Sequence, residues 1–453
     1  MKMLNLNLVY DDWDDNTNKP LPNGEKMFGY PDRFWDASNL MYHFIFNGLN
    51  SNVERFTLEK YRMSDVYNNP DKKYYYIINH ARLELQRVFN YELLDTHRPE
   101  YDSKKMFQST PFSDEVLECV RKCKNFNIMF LTEHEPEDEI GFKTVIDYFK
   151  SVNVNEEQIF IINNNSELNE LKLKYKSKIN TYSLEFIPFS STLSFEVIGS
   201  QYIKEKMGKF FMCHNKGPKI HRFLLLSLLR KYNLLDEINW SLVPAWKPYF
   251  DVHHCDSIIT KNQYESFKDD LDFFIELKIK NSDFEGEKNW FKPFEDVQVE
   301  NLPKGALIPE DRYTLENSYV NVITESQYIN VHRETEHIRK ENQVIHITEK
   351  SIRPFYFHQI PLILSTPGHI RKMKEKYKLD FFDDIINHNY DNEYEPEKRL
   401  FLFFNQILEI NRNKENIIKF YENNQERFEE NKRKILKILD DRKDYFYFKS
   451  LLN

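Results

Sequence analysis

Residues 112–132 read FSDEVLECVRKCKNFNIMFLT, and two different periods meet inside them. From Phe112 to Lys124 the apolar residues recur at helical spacing, and Ser113 stands where it can cap the first turn by accepting a backbone N–H. From Asn127 to Thr132 the run is short and apolar, as a buried strand reads, and it ends in the acidic loop Glu133-His134-Glu135-Pro136. The pair of periods then repeats, with a helix over Phe142–Val152, a strand over Gln158–Ile162 and a helix over Glu167–Tyr175. Upstream, residues 2–10 and Tyr74–Ile78 read as strands, and the Asp-, Asn- and Pro-rich stretch from Asp11 to Asp32 reads as a long loop. Such alternation predicts an α/β layer fold on a largely parallel sheet.

A second cycle follows the loop that holds Pro188, Ser190 and Ser191, which reads as a linker between domains. Strands are expected at Lys209–Cys213, Tyr319–Thr324, Val344–Ile347 and Pro361–Ser365, and helices at Lys219–Tyr232, Lys350–His358 and Gly368–Tyr377. From Glu397 onward the pattern changes to long charged helices, Arg399–Asn411 and Glu415–Leu439, suited to packing across the domains. The expected organisation is residues 1–200 as an N-terminal α/β domain, 201–395 as a second α/β domain, and 396–453 as a helical segment.

Composition agrees with folded domains. The 453 residues are 40% hydrophobic and 15% aromatic, more than one hydrophobic core usually organises. A formal net charge of -9 argues against a protein whose main work is gripping a nucleic-acid backbone. Cys119, Cys123, Cys213 and Cys255 lack the spacing of a zinc knuckle and suggest free thiols of a reducing compartment. The N-terminus does not read as a signal or transit peptide, and no apolar run approaches the ~20 residues that span a bilayer. A soluble, cytoplasmic protein without a membrane partner is expected.

Three segments concentrate chemistry. In KFFMCHNKGPKIHRFLLLSLLRKY (209–232), Gly217-Pro218 turns the chain and Lys219 opens an amphipathic helix whose start is crowded by Lys216, Lys219, His221 and Arg222. Cations are disfavoured at a helix N-terminus and an anion is favoured there, so a bound diphosphate would relieve the conflict. In VIHITEKSIRPFYFHQIPLILSTPGHIRKM (344–373), Glu349 and Lys350 fall where a strand yields to a helix, suited to a ribose and a phosphate respectively. Pro354 either starts that helix after a separate turn or kinks it. The third, YVNVITES (319–326), is a strand that also ends in Thr-Glu.

In order and spacing these segments resemble the nucleotide-binding half of the α1,3-fucosyltransferase-like, GT-B-type glycosyltransferases, and still more the related glycosyltransferases of phages and large DNA viruses. The likeness runs from about 209 to 391. It rests on Arg222, on Asn321 and Glu325 in YVNVITES, on Glu349 and Lys350 in ITEK, and on Gln359-Ile360-Pro361 before Ser365-Thr366-Pro367-Gly368. Phe381-Phe382-Asp383-Asp384-Ile385-Ile386 and Asn389-Tyr390-Asp391 add to the viral likeness. It departs at His346, where the family carries Tyr, and at the insertion Gln327–Gln343.

What the resemblance implies is a GT-B-like pair of Rossmann-like domains facing a cleft. The donor would be a nucleotide-diphosphate sugar and the acceptor a hydroxyl of a glycan or other molecule, with transfer inverting and metal-independent and no cofactor beyond the donor. Arg222 and Lys350 would bind the diphosphate and Glu349 the ribose, with Asn321, Glu325, His346, Lys216 and Lys219 around them. The catalytic base would sit in the loop after a strand of the first domain, Glu133 first and Glu135 second. Two other functions compete: a non-catalytic nucleotide- or sugar-binding protein, and a glycosyltransferase acting on modified bases of viral DNA, which the net acidity opposes. Metal-ligand patterns at Asp12-Trp13-Asp14, Asp270-Leu271-Asp272 and His253-His254-Cys255-Asp256 are weaker, with no complementary cluster in view.

Overall fold

The computed structural model describes residues 4–11, 13–14, 16, 19–20, 56–79, 112–131, 139–184, 209–215, 220–242, 269, 316–325, 328, 344–441 and 443–451. The first α/β unit runs through β1 (Leu4–Tyr10), β2 (Trp13–Asp14), β3 (Lys19–Pro20), β4 (Phe56–Arg62), α1 (Met63–Asn68), β5 (Tyr74–Asn79), α2 (Asp114–Lys122), β6 (Phe126–Leu131), α3 (Glu139–Ser151), β7 (Ile159–Asn163), α4 (Leu168–Lys174) and β8 (Asn180–Ser183). Six of these strands form one sheet in the order β4-β1-β5-β6-β7-β8, parallel throughout. Ser113 caps α2 as its position predicts, accepting from the Val116 N–H at 3.3 Å. Within the stretch expected to be a loop, β2 and β3 pair as a short antiparallel ribbon. The β4 and β8 strands were not legible, because FTLEKYR and NTYS are too polar to stand out.

Alternation along these strands divides the core between two faces of the sheet. Ile128, Phe130, Ile159 and Ile161 pack with α1 to α4 on one face, where the free thiols of Cys119 and Cys123 are also buried. Met129, Leu131, Phe160 and Ile162 lie on the other.

The second unit contains β9 (Phe211–Asn215), α5 (Ile220–Lys231), β10 (Ile238–Leu242), β11 (Val320–Thr324), α6 (Glu349–Tyr356), β12 (Ile360–Leu364) and α7 (His369–Tyr377). Its four described strands are parallel in the order β10-β9-β11-β12. The chain then continues as α8 (Pro396–Arg412), α9 (Lys414–Asn423), α10 (Gln425–Asp441) and α11 (Lys443–Leu451). The α8, α9 and α10 helices complete the core of the second unit through Phe403, Ile407, Ile417, Tyr421, Phe428 and Ile435. Helix α11 instead docks on the open face of the first sheet. Phe448 and Leu451 join that face's core, the Tyr75 hydroxyl donates to the Leu451 carbonyl at 2.7 Å, and Tyr447 stacks on Tyr182 at 3.7 Å. The C-terminal helices therefore serve both units.

Two expectations are corrected. Val344–Ile347 forms no strand of the sheet; its one pairing is an antiparallel bridge between His346 and Asn165 of the first unit. All four residues are buried, so their apolar pattern reports packing rather than pairing. Helix α5 is not amphipathic: every residue from His221 to Leu229 is buried, as in a helix enclosed on all sides. Its basic start is thus partly an interior feature. Among the described residues, no helix is long and apolar enough to cross a membrane.

Candidate functional site

In the second sheet β9 leads to β10 on one side and then to β11 on the other, so the order of described strands reverses between β9 and β11. Crevices at the carboxyl ends of strands at such a reversal are where open α/β sheets bind ligands. Here those ends are Asn215 and Thr324. The Thr324 hydroxyl donates to the Asn215 side-chain carbonyl and accepts from Arg222 Nε at 3.1 Å. Arg222 Nη2 donates to the Thr324 backbone carbonyl at 3.0 Å. Arg222 is 3% exposed. Burial lowers the pKa of its guanidinium, and the negative charge of Glu325 pulls against that. The internal carbonyl and carboxylate therefore supply what the sequence left unseen, a partner for this cation at the start of α5. His221, beside it, places Nε2 3.0 Å from the Glu325 carbonyl and stacks on Tyr328.

Glu325 is the centre of the arrangement and is 0% exposed. Its carboxylate accepts from the Thr348 N–H at 3.3 Å, from the Thr348 hydroxyl at 2.9 and 2.8 Å and from the Ser351 hydroxyl. Burial pushes this carboxyl up, but the charge of Lys350 and the Ser351 bond, joined by His369 and His346 once those rings are protonated in acid, outweigh it and bring the pKa to about 2. It is an anion at neutral pH. Thr348 is the N-cap of α6 and also accepts from the Lys350 N–H at 3.3 Å. One buried carboxylate thereby fixes the first turn of α6 to the end of β11.

That first turn presents Glu349 and Lys350, 26% and 21% exposed at their side chains and 3.6 Å apart, with Arg353 Nη2 3.9 Å from the same Glu349 oxygen. The helix runs through Pro354 without ending. Behind it, Ser351 lies 3.0 Å from His369 Nε2 and Ser365 lies 3.0 Å from His369 Nδ1. Because Ser351 donates to Glu325, the His369 contact is satisfied by an Nε2–H donor, leaving Nδ1 to accept from Ser365. Burial depresses the His369 pKa, which agrees with this neutral ring. Asp391 then accepts from the Ile370 and Arg371 N–H groups at 3.1 Å each, closing the first turn of α7, and Gly368 supplies the left-handed φ of +81° that this turn requires.

The fold thus brings Arg222, Glu325, Glu349 and Lys350 to one edge of the second sheet. His346 lies beside them, buried and turned toward the first unit, its Nε2 2.6 Å from Asn164 Nδ2. Burial holds its pKa down to about 4, so the ring is neutral and accepts at Nε2. Asn321 is not brought there. It sits three positions before Thr324 and donates to the Gln359 side chain at 2.8 Å, pinning β11 to the turn before β12. Lys216, Lys219, Glu133 and Glu135 lie outside the described residues, as do His253–Asp256 and Asp270–Asp272. Among the described residues, no group of three or more His, Cys, Asp or Glu side chains could hold a metal ion. Of the residues that build the site, Thr348 carried a readable N-cap signal before Glu349. Asn215, Ser351 and His369 carried none, since their roles depend on strands far apart in sequence, while Ser365 and Asp391 stood in motifs of the family likeness that named no role for them.

Comparison with family models, with curated proteins and with solved structures finds no match in any of the three. What the fold and the site define is an α/β protein with two parallel, Rossmann-like sheets and C-terminal helices, consistent with a GT-B-like pair of domains.

Proposed function

We propose that the chain is a glycosyltransferase that takes a sugar from a nucleotide-diphosphate donor bound on the second unit and passes it, with inversion, to a hydroxyl acceptor. The observation that carries this reading is the first turn of α6. It stands at the strand-order reversal, is fastened by buried Glu325, and offers Lys350 and Glu349 to solvent. A helix N-terminus with an adjacent ammonium suits a diphosphate, and a carboxylate beside it suits ribose hydroxyls. The motif likeness to α1,3-fucosyltransferase-like and viral glycosyltransferases supports the same assignment.

In the reaction the bond from the anomeric carbon to the diphosphate breaks as the acceptor oxygen attacks from the opposite face, and a base takes the hydroxyl proton. Lys350 would stabilise charge growing on the departing diphosphate, while the buried Arg222 charge raises the local potential from behind the strand end. For the base, Glu133 leads Glu135. Leu131, the last described residue before them, ends β6 beside β7, and Asn165 just after β7 bridges to His346.

A thermal-shift screen against GDP, UDP, CMP and dTDP tests the donor site. One diphosphate should raise the melting temperature, by an amount equivalent to about 2.7 kcal/mol at a hundredfold excess over its Kd. Failure of all four, and of their sugar conjugates, would sink the reading. Binding without transfer across a broad panel of donors and acceptors would favour a nucleotide-binding protein instead.

A further inference from the structure

Glu349 stands between two cations. Its Oε1 lies 3.6 Å from Lys350 Nζ and 3.9 Å from Arg353 Nη2. All three side chains are partly exposed, so solvent and a ligand can reach each of them. Arg353 follows Glu349 by four residues and therefore shares its face of α6. Of the three, Arg353 alone was not among the site residues expected from the sequence. Its charge is felt at the end of β9, where burial first and then Arg353 hold the His214 pKa down to about 4. Glu349 in turn is among the charges acting on the buried guanidinium of Arg222. The carboxylate thus lies among the cations that the described residues gather at the strand-order reversal.

Neither contact has the length of a direct hydrogen bond, about 2.7–3.2 Å, and both end on one oxygen. A rotation of the Glu349 side chain releases both. While the carboxylate is in place, Lys350 and Arg353 already have a counter-charge. A bare diphosphate arriving there must displace Glu349 and then lie beside it, anion against anion. A nucleoside diphosphate brings a remedy with it, because its ribose offers two adjacent hydroxyls that can donate to the displaced carboxylate. An acid in the first helical turn with an arginine four residues on is also an ordinary stabilising pair. Pyrophosphate separates the two roles, since a purely stabilising pair has no bearing on its affinity.

On the donor reading of α6, we infer that Glu349 is a selectivity element, an internal anion that holds Lys350 and Arg353 against ribose-free diphosphates and yields them to a nucleoside diphosphate. Arg353 is then a second phosphate-binding cation. The test is calorimetry on the full chain with GDP, UDP, their 2′,3′-dideoxy analogues and pyrophosphate. The native chain should bind GDP or UDP about tenfold or more tightly than the matching dideoxy analogue, the worth of hydrogen bonds to a charged group. Glu349→Ala should bind pyrophosphate about fivefold more tightly than the native chain, as expected for releasing partly exposed ion pairs, and should no longer separate ribonucleotide from dideoxy analogue. Glu349→Gln, which removes the charge and keeps an acceptor, should share the gain for pyrophosphate and keep part of the discrimination. Arg353→Gln should weaken pyrophosphate and ribonucleotide alike, by about tenfold.

Pyrophosphate affinity that is unchanged or lower in both Glu349 variants would overturn the selectivity role and make the trio a stabilising pair, while the donor reading would stand on the binding of GDP or UDP by the native chain. Undiminished discrimination against the dideoxy analogue in Glu349→Ala would overturn it in the same way. Unchanged binding of both pyrophosphate and ribonucleotide in Arg353→Gln would remove Arg353 from the site. Failure of the native chain to bind either GDP or UDP would overturn the selectivity role as well, and the thermal screen then tells whether the donor reading falls with it.

Discussion

Lys350→Ala is expected to lower the affinity for the nucleoside diphosphate found in the thermal screen by about 10- to 100-fold, with the circular dichroism spectrum of the folded chain retained. The size follows from losing a charge-assisted bond worth about 1.5–3 kcal/mol. The side chain is partly exposed and, among the described residues, its one close ion-pair contact is Glu349, at 3.6 Å, so its removal opens no core. It does withdraw the charge that does most to hold the Glu325 carboxyl low, and a modest fall in melting temperature should accompany the loss of binding. Lys350→Arg restores that charge without the compact ammonium, so it should recover stability more fully than affinity. Calorimetric affinity for GDP and UDP that is unchanged in Lys350→Ala would remove Lys350 from the site.

Glu325→Ala should be the most damaging single change in the second unit. It takes away a buried anion that accepts from Thr348 and Ser351 and offsets the buried charge of Arg222. Leaving the Arg222 charge buried without that nearby anion, and Thr348 and Ser351 without their acceptor, should cost about 3–5 kcal/mol. Glu325→Gln should cost less, because an amide oxygen can still accept from the Thr348 N–H. The pH dependence separates charge from shape. The carboxyl is depressed from its ordinary 4.5 to about 2, so its contribution is fully present above pH 4.5 and is lost as the pH falls through 2. By linkage it amounts to roughly 3 kcal/mol. Denaturant titrations of the native chain and of Glu325→Gln should therefore differ most above pH 4.5 and converge toward pH 2. A constant gap across that range would show that the carboxylate's charge contributes nothing.

Much of the layer order could be read from the sequence, because β6, β7, β11 and β12 are buried on both faces and read as short apolar runs between helical periods. The edge strands could not. Asn180–Ser183 is half-buried and polar, and only its pairing with β7 makes it a strand. The reverse error occurred at Val344–Ile347, where burial imitated a strand. For the site, the helix after Glu349 and Lys350 was legible, but the strand read before it was not there; the start is instead set by Thr348 as N-cap. The importance of Glu325 over Asn321 was not legible, although both stand in one motif. Which of them reaches the strand end and which faces Gln359 is settled by four residues of register and by the neighbouring strand.

The placement of α11 has a further consequence, for how the protein comes apart. By sequence this helix continues the bundle that closes the second core, yet Phe448 and Leu451 fill the first. Melting either unit strips apolar cover from the other through a single continuous run of helices, so heat should meet one cooperative transition rather than two independent ones.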